Sequence, residues 1–415
     1  QFASVMEIQR NIKDKLEHFL KVFPVVFLTG ARQTGKTTLA KIFAKKKGYF
    51  YVTLDDLSML KAAKEDPKGF LELLSKPCII DEVQRVPELF LAIKQLVDQE
   101  NVLGQFLLTG SANPLLLPKL GDSLAGRMGI LKMFPFSQGE LKGKKENFIS
   151  WLFSSEIKMK NFNKLEISKL WDIVLKGGFP RVIDFKSFEQ IDTWIQSYLQ
   201  TLMDRDIKDL AQIEGIHHFP DLFKLLASRS SSLLNGADLA RTLKISSASV
   251  HRYLSLLEAI FIVFREQAWF ANHSKRIAKS PKVYICDTGI LCYLLKANKE
   301  KFKSDPSVFG FVFESFVAAE LLKIASWMNE RIDQYHFREG TSEVDIVLEE
   351  RAGHIIGVEI KSSATIKSSD FKGLKRLKEV AKKKFIRGII LYTGSTMVPF
   401  GKDLWAIPIN SLWES

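Results

Sequence analysis

The stretch Gly30-Ala31-Arg32-Gln33-Thr34-Gly35-Lys36-Thr37 sets two glycines, a lysine and a hydroxyl in an order suited to holding phosphate. Gly30 and Gly35 let the backbone curl so that the N–H groups of Ala31, Arg32, Gln33 and Thr34 can surround phosphate oxygens. Lys36 adds a point charge at the β- and γ-phosphates, and Thr37 offers a hydroxyl to Mg²⁺. The helix entered through Thr38 aims its positive dipole end at the anion. This is the Walker A pattern. Downstream, Cys78-Ile79-Ile80-Asp81-Glu82 is an apolar run ending in two acids, the Walker B pattern. Asp81 is expected to hold Mg²⁺ through water, and Glu82 to orient or deprotonate an attacking water. In Thr109-Gly110-Ser111-Ala112-Asn113, either Ser111 or Asn113 senses a γ-phosphate, or the cluster simply forms a turn. Arg127 has three readings: stabilising transition-state charge in cis, doing so across a subunit interface, or being a plain surface arginine.

A second group of residues with the means for phosphate chemistry lies near the C-terminus. Glu343-Val344-Asp345-Ile346-Val347-Leu348 reads as a strand that turns through Glu349 to Gly353 and returns as His354 to Lys361. On the returning strand Glu359 and Lys361 are two apart and share a face, while Val358 and Ile360 point into apolar packing. The hairpin can bring Asp345 beside Glu359. Two carboxylates and a lysine are what metal-assisted phosphodiester hydrolysis requires: Asp345 and Glu359 hold Mg²⁺ and Lys361 steadies the nucleophile or the phosphate. The alternative is a surface hairpin with a salt bridge. Glu314 sits in the first turns of an amphipathic helix over 311–322.

The elements that must position these groups follow from apolar pattern and turn chemistry. Val25 to Thr29, Tyr51 to Leu54, Cys78 to Asp81, Gln105 to Leu108 and Met128 to Leu131 are short apolar runs of the kind that fill a parallel sheet buried on both faces. Residues 142–164 mix charge and aromatics and mark a first boundary. The segment 165–210 reads as helical, broken at Gly177-Gly178-Phe179-Pro180. Beyond it, 236–243 and 247–257 have helix-turn-helix texture, with Ser246 as the cap of the second helix and 260–264 as a wing strand. Such a module either puts Ser247, Ser249 and Arg252 into a DNA groove or serves as a packing lid or protein dock. Three units are expected: 1–145, 165–280 and 281–415.

Composition narrows the class. The chain has 415 residues, 46% hydrophobic and 26% charged, which are the proportions of a globular protein of more than one domain. A formal net charge of +13 points to a polyanionic partner, nucleic acid before anionic membrane. Lys367, Lys372, Lys375 and Arg376 beside the C-terminal hairpin suit a phosphate backbone, or are a solvated helix face. Three scattered cysteines argue against a disulfide framework or a structural zinc site. With no signal-like start and no apolar run long enough to span a bilayer, a cytoplasmic location without membrane partners is expected. A chain beginning at Gln1 is expected to be a trimmed one.

Walker A, Asp81-Glu82, Leu108-Thr109-Gly110-Ser111, Gly126-Arg127 and Phe134-Pro135-Phe136-Ser137 together resemble the AAA-type P-loop ATPases that carry a DUF4143 C-terminal region. The resemblance runs nearly the whole chain, through Gly177-Gly178-Phe179-Pro180 and the stretch Tyr198 to Asp206, where Arg205 contacts nucleotide or a neighbouring subunit or makes a structural ion pair. It implies an α/β fold: a P-loop parallel sheet with helices on both faces, then a helical, winged-helix region and an α/β nuclease-like C-terminal domain. It further implies ATP rather than GTP, and ring or dimer assembly. Asp345, Glu359, Lys361 and the helical acid Glu314 resemble the PD-(D/E)xK nuclease core, with Val344 where that motif has proline. The function expected is ATP binding and hydrolysis coupled to a DNA-associated nuclease-like domain. The alternative is an ATP-dependent switch that docks a protein partner through an inactive nuclease-like domain.

Overall fold

The computed structural model describes residues 8–100, 102–111, 124–207, 216–272, 274, 276 and 279–414. Its N-terminal part is built on five parallel strands: β1 (Val25–Thr29), β2 (Phe50–Thr53), β3 (Cys78–Asp81), β4 (Phe106–Gly110) and β5 (Met128–Lys132). They lie in the order β2-β3-β4-β1-β5. Both faces are covered, which is why these strands read as continuous apolar runs. Val26, Leu28, Ile79 and Leu107 pack under the helix Lys36–Lys47 and the helix Lys13–Leu20. Their neighbours Val25, Phe27, Ile80, Phe106 and Leu108 pack against the helix Glu88–Glu100 on the other side. The polar stretch after β2 forms two helices, because Asp66 caps the second at Gly69 N–H and Pro67 occupies its first turn.

The C-terminal part is a mixed sheet of nine strands. These are β6 (Ser232–Leu233), β7 (Val263–Ala268), β8 (Lys282–Ile285), β9 (Ile332–Glu339), β10 (Ser342–Glu350), β11 (Ile355–Lys361), β12 (Phe385–Tyr392), β13 (Val398–Pro399) and β14 (Leu404–Pro408). The expected hairpin is present as the antiparallel pair β10–β11, with Ile346 opposite Val358. The helices Gly236–Leu243 and Ser247–Ala259 form as anticipated, the second capped by the Ser246 hydroxyl at 3.0 Å from Ser249 N. The strand after them starts at Val263 rather than Ile260, because Phe261 turns the chain with a φ of 61°. β7 pairs antiparallel with β8 and continues by parallel pairing onto β9. A division between 280 and 281 therefore runs through a hairpin of one continuous sheet.

The two parts meet on the 22-residue helix Pro306–Trp327, which is longer than the 311–322 expected and places Glu314 in its third turn. Among the described residues no helix is long and apolar enough to cross a membrane. Glu320 and Lys323 on this helix are 1% and 4% exposed. The Lys323 ammonium donates to Glu320 at 2.7 Å and to the Phe136 carbonyl at 3.0 Å, while Glu320 accepts from Gln138 N at 2.8 Å. Phe136 N in turn donates to Gly178 O at 2.8 Å, and Gly178 N donates to Asp287 at 2.8 Å. The motifs Phe134-Pro135-Phe136-Ser137 and Gly177-Gly178-Phe179-Pro180 are thus the two sides of one buried polar junction. Gly178 cannot be larger, since a Cβ there would stand 2.2 Å from Phe136 O.

Removing one partner of a buried ion pair leaves the other charged in a dry site, at a cost of about 3–5 kcal/mol. Lys323→Met is expected to lower the free energy of unfolding by roughly that amount in chemical denaturation. Adding Glu320→Leu should recover part of the loss, because neither charge then remains buried.

Candidate functional site

At the C-terminal edge of the parallel sheet the phosphate loop leaves β1. Gly35 has a φ of 94°, in the left-handed region open to glycine. Gly30 is held by close approach: a Cβ would stand 2.0 Å from the Met133 carbonyl oxygen. Lys36 is buried, and its ammonium crosses the loop to the carbonyls of Gly30 and Ala31, each at 2.8 Å. Arg10 belongs to no motif, yet it braces the loop from outside. Its guanidinium donates to Thr34 O at 2.8 Å, Phe134 O at 2.6 Å and the Glu140 carboxylate at 3.0 Å, and lies 4.6 Å from the Phe136 ring centroid.

Asp81 is the hub of the site. It ends β3, and Thr37, Thr109 and Tyr51 all donate hydroxyls to it, Thr37 at 2.9 Å and Tyr51 at 2.8 Å. The next residue, Glu82, turns with a φ of 59°, and its N–H donates to the Thr109 hydroxyl at 3.3 Å. Burial pushes the Glu82 carboxyl above its ordinary pKa, and the Gln84 amide and the charge of Lys36 pull the other way. Gln84 bonds Glu82 with the same amide nitrogen that reaches Ser111 Oγ at 3.2 Å. Tyr51 and Gln84 are site residues that no motif flags, and Thr109, although inside the Leu108-Thr109-Gly110-Ser111 stretch, carries no expected role there. The signal for Thr109 is its place at the end of the strand between β1 and β3.

The structure brings together Gly30 to Thr38, Asp81, Glu82 and Ser111; Asn113 lies outside the described residues, as does the side chain of Arg205. It does not bring Arg127 to them. Arg127 O accepts from Val25 N at the start of β1, the end of the sheet opposite the phosphate loop, and its side chain pairs with Asp98. A cis role for Arg127 is therefore excluded by its position on the approach to β5. Beside Gly35 and Thr38 opens a cavity of about 390 Å³, whose walls include Ile8, Ile42, Phe136, Pro180 and Ile183.

The donor set of the phosphate site fits Mg²⁺-nucleotide. Thr37 and Asp81 are in hydrogen-bond contact, so hard oxygen donors of both Walker motifs already converge, and Lys36 stands across the loop from them.

The C-terminal acids also converge. Ile360 N donates to Asp345 at 2.9 Å, placing that carboxylate at the β10–β11 seam, and Lys361 donates to Glu359 at 2.7 Å on the shared face. A third strand supplies what the hairpin pattern does not foretell. Lys282 on β8 is 2% exposed, and its ammonium lies 2.9 Å from Glu314, 2.9 Å from Glu343 and 3.5 Å from Asp345. Burial alone would lower the pKa of Lys282, but Glu314, Asp345 and Glu343 outweigh it and the net direction is up. A divalent metal does not fit here as the residues stand, because of the two carboxylates expected to hold it Asp345 already faces the Lys282 ammonium and Glu359 already pairs with Lys361. Among the described residues no group of three or more His, Cys, Asp or Glu is arranged to hold a metal ion. Arg376, expected to face phosphate, instead pairs with Glu339 at 2.7 Å and Glu379 at 2.9 Å.

Tyr284 links a fifth acid to the cluster. Its hydroxyl lies 3.0 Å from Glu314 and 3.3 Å from Glu266, and one hydrogen cannot serve both. If it goes to Glu314, Glu266 must be protonated and donate to Tyr284, which agrees with a Glu266 carboxyl pushed by burial up to about 8. A folded-state pKa raised from 4.5 gives stability that is full below pH 4.5 and is lost as pH rises through about 8. Thermal melts from pH 5 to 8.5 are expected to fall along this course in the wild type. They should fall less steeply in Glu266→Gln, with a difference of roughly 1–3 kcal/mol at the upper end.

Three family models match consecutive segments: an AAA domain over 22–142 and two domains of unknown function, DUF8612 over 167–301 and DUF4143 over 309–412. Uncharacterized protein Mb2031c of Mycobacterium bovis and Uncharacterized protein Rv2008c of Mycobacterium tuberculosis are each 30% identical over 407 residues, covering 97% of this chain and 84% of theirs. Among solved structures, the Walker-type ATPase PABY2304 of Pyrococcus abyssi is 15% identical, covering 68% of this chain and 94% of its own at a TM-score of 0.42. AMPPCP-bound DnaA of Aquifex aeolicus is 16% identical, covering 60% and 85% at a TM-score of 0.28. With a Walker A loop, a Walker B acid pair in contact with it, relatives matched almost end to end and the AAA and DUF4143 models in series, the chain belongs to the AAA-type P-loop ATPases with a DUF4143 C-terminal region.

Proposed function

We propose that the chain is an ATP-hydrolysing switch that passes nucleotide state from its phosphate loop to a nucleic-acid-binding surface on its winged-helix and nuclease-like C-terminal regions. The observation that carries this reading is the buried path from the phosphate loop to the helix that carries Glu314 of the C-terminal acid cluster. Arg10 bonds the loop carbonyl of Thr34 and the carboxylate of Glu140. Gln138, in the same short helix as Glu140, bonds Glu320, and Glu320 shares its helix with Glu314 of the acid cluster. A loop that reshapes around a γ-phosphate pulls on Thr34, and packed interiors transmit such shifts rather than absorb them.

In this reading Lys36 and the loop N–H groups bind the triphosphate, and Thr37 with Asp81 holds Mg²⁺, which when bound would neutralise phosphate charge. Glu82, its proton affinity raised by burial, accepts a proton from water, and Gln84 relays between Glu82 and Ser111. The cavity beside Gly35 is mostly apolar and of a size for a purine, so Ile42, Pro180 and Ile183 would seat the adenine. Arg127, at the far end of its own sheet and paired with Asp98, is left with two readings, a role toward the nucleotide of an adjoining protomer or that of a plain surface arginine. The nucleic-acid face includes exposed Arg241, Lys244, Ser247 and Arg252 on the helix pair, and exposed Lys372, Lys375 and Lys382 to Lys384 near the C-terminal hairpin. The alternative, a protein dock, shares the switch and differs in the partner.

Lys36→Ala should abolish ATP turnover while leaving the fold intact, and Glu82→Gln should bind ATP but turn over at least about 100-fold more slowly. Turnover retained by pure Lys36→Ala protein would overturn the phosphate-loop assignment. Binding of labelled duplex DNA should change with nucleotide, and the combined Arg241→Ala, Lys244→Ala, Arg252→Ala variant should reduce the salt slope by roughly 3. DNA affinity indifferent to both nucleotide and these substitutions would leave the switch in place and move its partner to protein.

A further inference from the structure

Nuclease centres built from an Asp-Glu-Lys hairpin depend on carboxylates that share a divalent cation. Here Asp345 shares an ammonium with Glu314 and Glu343 instead. Lys282 reaches Glu314 from a helix and Glu343 and Asp345 from β10, at 2.9, 2.9 and 3.5 Å, with its own side chain 3% exposed. It is not a passing surface contact: β8, which carries it, pairs with both β7 and β6 inside the sheet, so the lysine is delivered by the backbone ladder itself. A second cation, Lys361, stands 2.7 Å from Glu359. A divalent ion brought among these oxygens would meet two ammonium groups.

We infer that Lys282 is the resident cation of this centre, a counter-ion supplied by the chain in place of a divalent metal, and that the C-terminal domain is a metal-independent platform that does not cleave phosphodiesters. The inference stands apart from the nucleic-acid reading above, since a platform of this kind serves DNA or a protein equally. The balance of charge supports it. Two ammonium groups, Lys282 and Lys361, stand within salt-bridge reach of all four carboxyl side chains, Glu314, Glu343, Asp345 and Glu359, so the chain itself supplies the cations of the centre. Glu359 Oε2 is buried with no hydrogen-bond partner among the described residues and would welcome a cation, which makes metal binding the measurement that decides.

The test uses the full chain without nucleotide, in an Asp81→Asn background so that the phosphate site contributes nothing. Mn²⁺ is titrated by calorimetry and by its EPR signal into Lys282 protein, Lys282→Ala and Asp345→Asn, alongside thermal melts and incubation with labelled DNA. With Lys282 present, no Mn²⁺ site that depends on Asp345 is expected below about 1 mM, with no shift of the melt and no cleavage. Lys282→Ala should melt earlier and be rescued in part by millimolar ethylammonium or by Mn²⁺, either of which can enter the vacated position. Asp345-dependent Mn²⁺ binding or DNA cleavage by the Lys282 protein would overturn the inference, as would a Lys282→Ala melt no lower than that of the Lys282 protein. If Lys282→Ala does not fold, the Mn²⁺ titration of the Lys282 protein still decides between the two.

Discussion

A buried ammonium must be surrounded by oxygens the protein supplies, and Lys323 meets that demand from two directions at once. Glu320 answers its charge from within the same helix, and the Phe136 carbonyl answers from the chain that follows β5. Because neither contact can be given up cheaply, the C-terminal helix and the nucleotide core are fixed to one another. Gly178 then has no room for a side chain, Asp287 has its acceptor capacity committed to Gly178, Gly289 and Ile290, and Gln138 must present its N–H to Glu320. Within the apolar core shared by the two sheets, this buried charge fixes the polar contacts of their junction.

That constraint explains why a helix as long as Pro306–Trp327 is useful. Its face toward the nucleotide core carries Glu320 and Lys323, and nearer its N-terminus it carries Glu314 into the acid cluster, so a rigid element spans the distance between loop and cluster. Packed interiors deform little, and a helix buried along most of its length moves as a unit or not at all. The path from Thr34 through Arg10 and Glu140 to this helix is made of short polar contacts in a dry setting, where each bond resists being broken.

What the sequence disclosed and what it withheld divide along contact distance in the chain. Lys36, Thr37, Asp81 and Glu82 announce themselves because each stands in a short contiguous pattern that a strand end or a helix start imposes. Asp345, Glu359 and Lys361 were legible for the same reason, being on two strands of one hairpin. Arg10 is 130 positions from Glu140, and nothing local marks an arginine that will be buried there. Lys282 lies 61 positions before Glu343, from 282 to 343, and meets it only because β9 and β10 fold back beside β7 and β8. Its arrival among the acids depends on sheet order rather than on any motif. Arg127 shows the converse limit: its neighbour Gly126 and the strand after it are plain in the sequence, but which end of the sheet they occupy is not.

Three buried lysines carry three different duties, and their partners tell them apart. Lys323 faces a carboxylate and a carbonyl on separate elements, so it fastens them. Lys282 faces three carboxylates, so its charge is cancelled where it stands and it offers nothing to an incoming anion. Lys36 reaches the carbonyls of Gly30 and Ala31 on the phosphate loop, and its charge also acts on Glu82. Lys36 alone of the three stands on the phosphate loop itself. The same residue type, similarly buried, faces the phosphate loop in one place and fastens or neutralises carboxylates in the others, and the elements that bring the oxygens around it set the difference.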